Sequence, residues 1–139
     1  MSRIAAAVVL AALPSLTLAM PQNKELPPPA AGIWHLLDKA ADEQNIPDHR
    51  VDIRLSPSPE PFRAAIVNRN TGDDIPYAVA VFNGRVLTLQ MGTHGGPPMP
   101  GTPMLRMTWD GTRFEGGYVD AAFQPLPKAQ PLKLIRSGQ

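Results

Sequence analysis

Two dipeptides, Asn83-Gly84 and Asp110-Gly111, constrain the fold of this chain more than any other feature of its sequence. Each is flanked by segments in which apolar and polar residues alternate, the pattern of a half-buried β-strand. Asn-Gly and Asp-Gly favour two-residue hairpin turns, because both residues readily adopt the positive φ angles that such turns need. The sequence therefore predicts two antiparallel hairpins, over Tyr77–Met91 and Met104–Val119.

The register of each hairpin follows if the dipeptide alone forms the turn. Ala80 then lies opposite Leu87 in the first hairpin, and Arg106 lies opposite Glu115 in the second. Arg106 and Glu115 would form an opposite-charge pair on the outer face, which supports this register. Apolar side chains from both hairpins share the other face and form one side of the predicted core.

A different periodicity precedes the hairpins, between Gly32 and Asn45. The apolar residues of this segment recur at helical spacing, in the order Ile33, Leu37, Ala40 and Ala41. Polar side chains lie on the opposite face, and Pro47 prevents the segment from continuing as a helix. The pattern predicts one amphipathic helix of about three turns.

The expected fold class is α+β, with this N-terminal helix packed on an antiparallel sheet. The sheet is expected to contain roughly four to six strands made of hairpins. Val51–Leu55 alternates strictly and supplies one further strand. A small β-barrel with a covering helix is the alternative.

The N-terminus has the pattern of a secretory signal peptide over residues 1–19. Arg3 precedes an apolar run over Ile4–Leu13, and Thr17-Leu18-Ala19 supplies small residues at the cleavage site. The run is shorter than the roughly 20 residues that span a bilayer, so no stable membrane anchor is expected after cleavage. The chain is predicted to be exported, either to the periplasm or out of the cell.

The remainder divides into three parts by composition. Residues 20–31 form a Pro-rich leader, residues 32–123 form a single α+β domain, and residues 124–139 form a Pro-rich tail. The tail either adds an edge strand through its short apolar run or frays.

Charge and cysteine content exclude several functional classes. Loss of Arg3 with the signal leaves 12 basic and 12 acidic side chains, from 13 and 12 in the full chain. A neutral exported chain has no net field that attracts nucleic acid, so no nucleic-acid partner is expected. The chain has no cysteine, which excludes disulfides, zinc–thiolate sites and cysteine nucleophiles.

The segment between the two hairpins, Gly92–Pro103, is the candidate binding loop. It is longer than most hairpin connections and rich in proline and glycine, as functional loops often are. The candidate binding residues in and beside it are His94, Met99, Met104 and Trp109. Imidazole and thioether groups are donors that suit copper(I), so His94 and Met99 are also candidate copper ligands.

Catalytic patterns are missing from the sequence. It contains no nucleophile elbow and no His-Glu-x-x-His motif, so no catalytic residue and no cofactor other than copper is predicted. The favoured function is an exported, non-enzymatic binding or inhibitor-like protein that acts on a macromolecule in the cell envelope or outside the cell. The alternatives are a periplasmic copper-binding protein with His and Met ligands, and a small hydrolase that depends on carboxylates.

Overall fold

The chain folds into a single antiparallel β-sheet. The structure is a computed structural model that describes residues 25–93, 96–98 and 101–138. Within those ranges all regular structure is β, and no helix is long and apolar enough to cross a membrane. The predicted signal peptide lies outside the described residues, so export stays a prediction.

Nine strands form the sheet. They are β1 (Gly32–Asp38), β2 (Val51–Ser56), β3 (Arg63–Ile66), β4 (Ile75–Pro76), β5 (Val79–Phe82), β6 (Val86–Gln90), β7 (Met104–Trp109), β8 (Phe114–Val119) and β9 (Leu132–Arg136). Their order in the sheet is β4-β3-β2-β1-β9-β8-β7-β6-β5. The sheet curls until β3 and β5 approach each other, and this produces a half-barrel with one open seam.

The predicted N-terminal helix is wrong, and with it the α+β class and the helix-covered barrel. Its residues form β1 and the loop that follows, and the sheet has nine strands instead of about four to six. β1 is an interior strand paired with both β2 and β9, and its side chains from Trp34 to Leu37 are all buried. A strand buried on both faces is apolar at most of its positions, so the helical spacing of Ile33 and Leu37 does not indicate a helix here.

Both predicted hairpins are present, and their registers differ from the prediction by two residues. Ala80 pairs with Leu89, and Arg106 pairs with Gly117 instead of Glu115. Glu115 lies opposite Thr108. A shift of two residues leaves every side chain on its predicted face, because side chains alternate with a period of two.

The register shift comes from the turn residues. In the first hairpin the side-chain Oδ1 of Asn83 accepts hydrogen bonds from the N–H groups of Arg85 and Val86. The Oδ1 of Asp110 accepts the equivalent pair of bonds in the second hairpin. Asn83 and Asp110 therefore follow the last residues of β5 and β7 as the first residues of their turns, and the central turn positions begin with Gly84 and Gly111, whose φ angles are 97° and 103°.

The apolar core lies on the concave face of the sheet. Trp34 stands at its centre, with ring centroids 5.5 Å from Phe114 and 5.9 Å from Trp109. Edge-to-face aromatic contacts of this kind add to the stabilisation from burial. The other large side chains that are almost completely buried are Ile53, Leu55, Leu87, Leu89, Leu105, Met107 and Leu134. The interior of the half-barrel is therefore filled with side chains.

The tail contributes a strand at an interior position. Leu132–Arg136 forms β9, which pairs with β1 on one side and β8 on the other. The last strand of the chain therefore lies beside the first, in place of the edge position expected of the tail. The division of the chain into leader, domain and tail stays a prediction.

Candidate functional site

The structure describes two of the four residues that the sequence singled out for binding. Met104 begins β7 and is half-buried, whereas Trp109 ends the same strand and is 3% exposed. Residues five apart in a strand lie on opposite faces, so the two side chains do not converge. His94 and Met99 lie outside the described residues. The assignment of these four residues to a binding site stays a prediction.

The alternative in which His94 and Met99 are copper ligands also stays a prediction. Within the described ranges, no three side chains of His, Asp or Glu are close enough together to hold a metal ion.

A concave surface runs along the open seam of the half-barrel. One depression of about 600 Å³ and another of about 590 Å³ lie along it, between β5 and the β3–β4 end of the sheet. The two depressions share four lining residues, Pro61, Phe62, Ala80 and Val81, so they form one continuous surface. We call this surface the seam groove.

β5 forms one wall of the seam groove and is an edge strand. The N–H of Asn83 donates to the carbonyl of Val86 on β6, and alternate residues of an antiparallel strand point the same way. The backbone groups of Val79 and Val81 therefore face β6, and those of Ala80 and Phe82 face the groove. Among the described residues, Ala80 and Phe82 have no backbone partner on that side.

Apolar side chains line the middle of the seam groove. The rings of Phe62 and Phe82 meet across it with centroids 5.6 Å apart. Val81 is 56% exposed, the largest exposure of any big apolar side chain in the described part of the chain. Tyr77 is half-buried at one end, and burial, helped by the neighbouring Tyr118, raises the pKa of its phenol well above the usual range. Its hydroxyl therefore stays protonated and can donate a hydrogen bond.

Charged groups mark the ends of the seam groove. Arg54 Nε and Asp74 Oδ2 lie 2.6 Å apart at the Tyr77 end, and exposed Arg63 is beside them. Glu60 lies at the other end. Among the described residues that line the groove, Ser56 is the one serine, and no histidine lies there to activate it as a nucleophile. This arrangement can bind a chain through backbone and apolar contacts, and it lacks an activated nucleophile.

A second cluster lies on the convex face, where His35 and Asp52 are buried. His35 Nδ1 is 2.7 Å from Asp52 Oδ1, and Arg50 Nε donates to the same oxygen at 2.8 Å. Burial alone would raise the pKa of Asp52, but the bonds from His35 and Arg50 hold it below its ordinary value. Since His35 lies in β1 and Asp52 in β2, a side-chain hydrogen bond joins the two strands in addition to the backbone ladder.

A third cluster fastens the loop after β1 to the sheet. The carboxylate of Glu43 accepts two hydrogen bonds from the guanidinium of Arg113 and one of 2.8 Å from Lys133 Nζ. Lys133 is buried and also donates to the carbonyl of Ala41 at 2.8 Å. The bonds from Arg113 and then from Lys133 lower the pKa of Glu43 from 4.5 to about 2. Both convex clusters are internally paired, which indicates a structural role.

The seam groove is not predicted by any pattern in the sequence. The available signals were the proline run from Ser56 to Pro61, which cannot form a ladder, and the apolar segment Tyr77–Phe82. Neither signal indicates which strands lie at the ends of the sheet, and the groove exists only because those ends approach each other.

No known protein family, curated protein or solved structure matches this chain, so the seam groove is assigned from its own geometry.

Proposed function

We propose that this chain is an exported, non-enzymatic binding protein that takes up an extended segment of a macromolecular partner in the seam groove. The observation that supports this most is the free edge of β5, where the backbone groups of Ala80 and Phe82 face an apolar groove. Export rests on the signal pattern at the N-terminus.

An extended segment can pair with β5 as an added strand. Main-chain hydrogen bonds give affinity in this mode, and alternate side chains of the segment give specificity. One set of side chains would contact Phe62 and Phe82, and the other would lie near Val81. Small or β-branched apolar residues fit these positions, since they suit a pleated, half-buried surface.

The seam has to widen to admit a full strand between β3 and β5, because each pair of neighbouring strands lies about 4.8 Å apart. Among the described residues, one backbone bond crosses the Tyr77 end of the seam, from the N–H of Tyr77 to the carbonyl of Ala64 at 3.0 Å, and none reaches Val79–Phe82 from β3. The contact to be opened is mainly that of the Phe62 and Phe82 rings. An incoming strand replaces it with new ladder bonds and new apolar contacts.

Selection of peptides from a random display library on the purified chain tests this proposal. The selected peptides should bind the Val81→Lys variant at least about tenfold more weakly, since a lysine there meets an apolar partner. Val51→Lys is the matched control, because Val51 is also an exposed valine on a strand but does not line the groove.

A second variant tests the main-chain mode. Ala80→Pro removes the N–H that faces the groove and leaves the bonds to β6 in place, which proline allows only at an edge. It should abolish peptide binding while the protein remains folded. Peptides that bind both groove variants as well as wild type would place the binding surface elsewhere and overturn the proposal.

A further inference from the structure

The described part of the leader, residues 25–31, lies against the aromatic end of the half-barrel. The indole N–H of Trp109 donates to the carbonyl of Pro27 at 2.8 Å, across 82 positions of sequence. Leu26 packs against the core, and Pro29 is buried. A segment without regular structure is therefore held by side chains of a distant hairpin.

A second indole makes the same kind of bond. Trp34 Nε1 donates to the carbonyl of Ala30 at 3.1 Å. Proline has no N–H, so a proline-rich segment offers carbonyl oxygens and apolar rings to its surroundings. Grooves that recognise such segments supply aromatic side chains against a preformed extended helix. Here the proline-rich leader and the indoles of Trp34 and Trp109 make contacts of this kind within one chain.

Two hairpin turns, at Gly111 and at Asn83-Gly84, also lie close to the leader. The Leu26 side chain lies over the turn at Gly111, where an added Cβ would stand 3.6 Å from it. Pro28 and Pro29 lie near Pro61 and the Asn83-Gly84 turn, at the end of the seam groove. We call the surface formed by Trp34, Trp109 and Gly111 the leader seat.

We propose that the leader seat is a recognition site for an extended proline-rich segment with an apolar residue before the prolines. Leu26–Ala30 occupies it within the chain, and a Leu-Pro-Pro-Pro segment of a partner protein can take its place. Exchange is feasible because residues 25–31, the described part of the leader, make no strand pairing and join β1 at Gly32, whose φ of 128° suits glycine. The seat does not depend on the proposed role of the seam groove, since Trp109 and Gly111 lie outside that groove.

Binding of a synthetic peptide of residues 25–31 to a truncated chain of residues 32–139 tests the proposal. Titration calorimetry and tryptophan fluorescence should both detect a complex. A peptide with Leu26→Ser should bind at least about tenfold more weakly, because one buried leucine side chain is lost. A peptide that keeps only Leu26 and the three prolines, with serine elsewhere, should bind like the original.

The intact chain is the first control. Its own leader competes at a high effective concentration, so added peptide should bind it far more weakly than it binds the truncated chain. In the truncated chain, Trp109→Phe should weaken peptide binding several-fold by removing one donor. Tyr118→Phe, outside the seat, should not change it.

The truncated chain is informative whether or not it folds alone. If it is unfolded, addition of the peptide should restore a cooperative unfolding transition. The proposal is overturned if the peptide neither binds nor restores folding, if the Leu26→Ser peptide is equally effective, or if the intact and truncated chains bind the peptide equally.

Discussion

β1 and β5 are both short apolar strands of one sheet, and they differ in what surrounds them. β1 pairs on both sides, and its four residues from Trp34 to Leu37 are buried. Among the strands of the described residues, β5 pairs with β6 alone, and Val81 in its middle is mostly exposed. The convex side of β1 is further secured by the charged clusters around Asp52 and Glu43. Burial and pairing are therefore greatest at β1, and we expect stability to depend more on β1 than on β5.

The largest expected effect is at Trp34. Trp34→Ala should lower the free energy of unfolding by about 3–5 kcal/mol, because it removes a fully buried aromatic side chain and leaves a cavity. The matched change at the edge, Val81→Ala, should alter it by less than about 0.5 kcal/mol. Urea unfolding followed by circular dichroism measures both values. Similar losses in the two variants would contradict the contrast between β1 and β5.

A smaller loss is expected at a close approach in the interior strand β8. A Cβ at Gly116 would lie 2.2 Å from the carbonyl oxygen of Arg106, so Gly116→Ala should destabilise by about 2 kcal/mol. The neighbouring Gly117→Ala is the control, since its Cβ would meet the carbonyl oxygen of Gln130 at an ordinary 3.5 Å. Thermal unfolding of the pair should separate them clearly, and equal melting temperatures would show that the strands can move apart there.

Acid should weaken the β1 side of the molecule. The pKa of Glu43 falls from 4.5 to about 2 on folding, so its stabilisation is complete above pH 4.5 and is lost as the pH falls towards 2. The pair is partly exposed, so the effect is about 1 kcal/mol. Urea unfolding at pH 7 and pH 3 should show a smaller difference in Glu43→Gln than in wild type. The control Glu60→Gln, in the seam groove, should show the same difference in stability between pH 7 and pH 3 as wild type. If Glu43→Gln also shows the wild-type difference, Glu43 does not stabilise the fold through its charge.

The smallest effect is on single amide protons. Hydrogen exchange followed by NMR should show protection at every residue from Trp34 to Leu37, because their backbone groups pair on one side or the other. In β5, protection should alternate, with slow exchange at Val79 and Val81 and fast exchange at Ala80. Strong protection of Ala80 would show that the edge of β5 is already covered.

Features of the fold that depend on contacts between residues close in sequence can be predicted, whereas those that depend on contacts between distant residues cannot. Asn83 and Asp110 predict their turns because the side-chain oxygen of each accepts hydrogen bonds from the backbone N–H groups two and three residues later. Their registers were still misjudged by two residues, since the dipeptide pattern does not say which residue ends the strand. At Ile33 and Leu37 the local spacing favoured a helix, and pairing with β2 and β9 overrode it.

The candidate site was less predictable than the fold. Trp109 is a candidate binding residue in the sequence, and only the structure shows that its ring packs against Trp34 and Phe114 in the core. The residues of the seam groove come from separate parts of the chain. Phe62 and Phe82 share no pattern in the sequence that predicts their contact. The two rings meet because the sheet curls and brings β3 near β5.

The sequence by itself determined the two hairpins and the face on which their apolar residues lie, because turn chemistry and side-chain alternation act over a few residues. Tertiary structure alone decided that Gly32–Asp38 is a strand, that Leu132–Arg136 lies beside it, and that β5 keeps a free edge. These outcomes depend on which strands become neighbours. The order of the strands depends on how Trp34, Phe114 and the residues around them are buried in one shared core. These residues are far apart in the chain, so no local pattern in the sequence indicates the order.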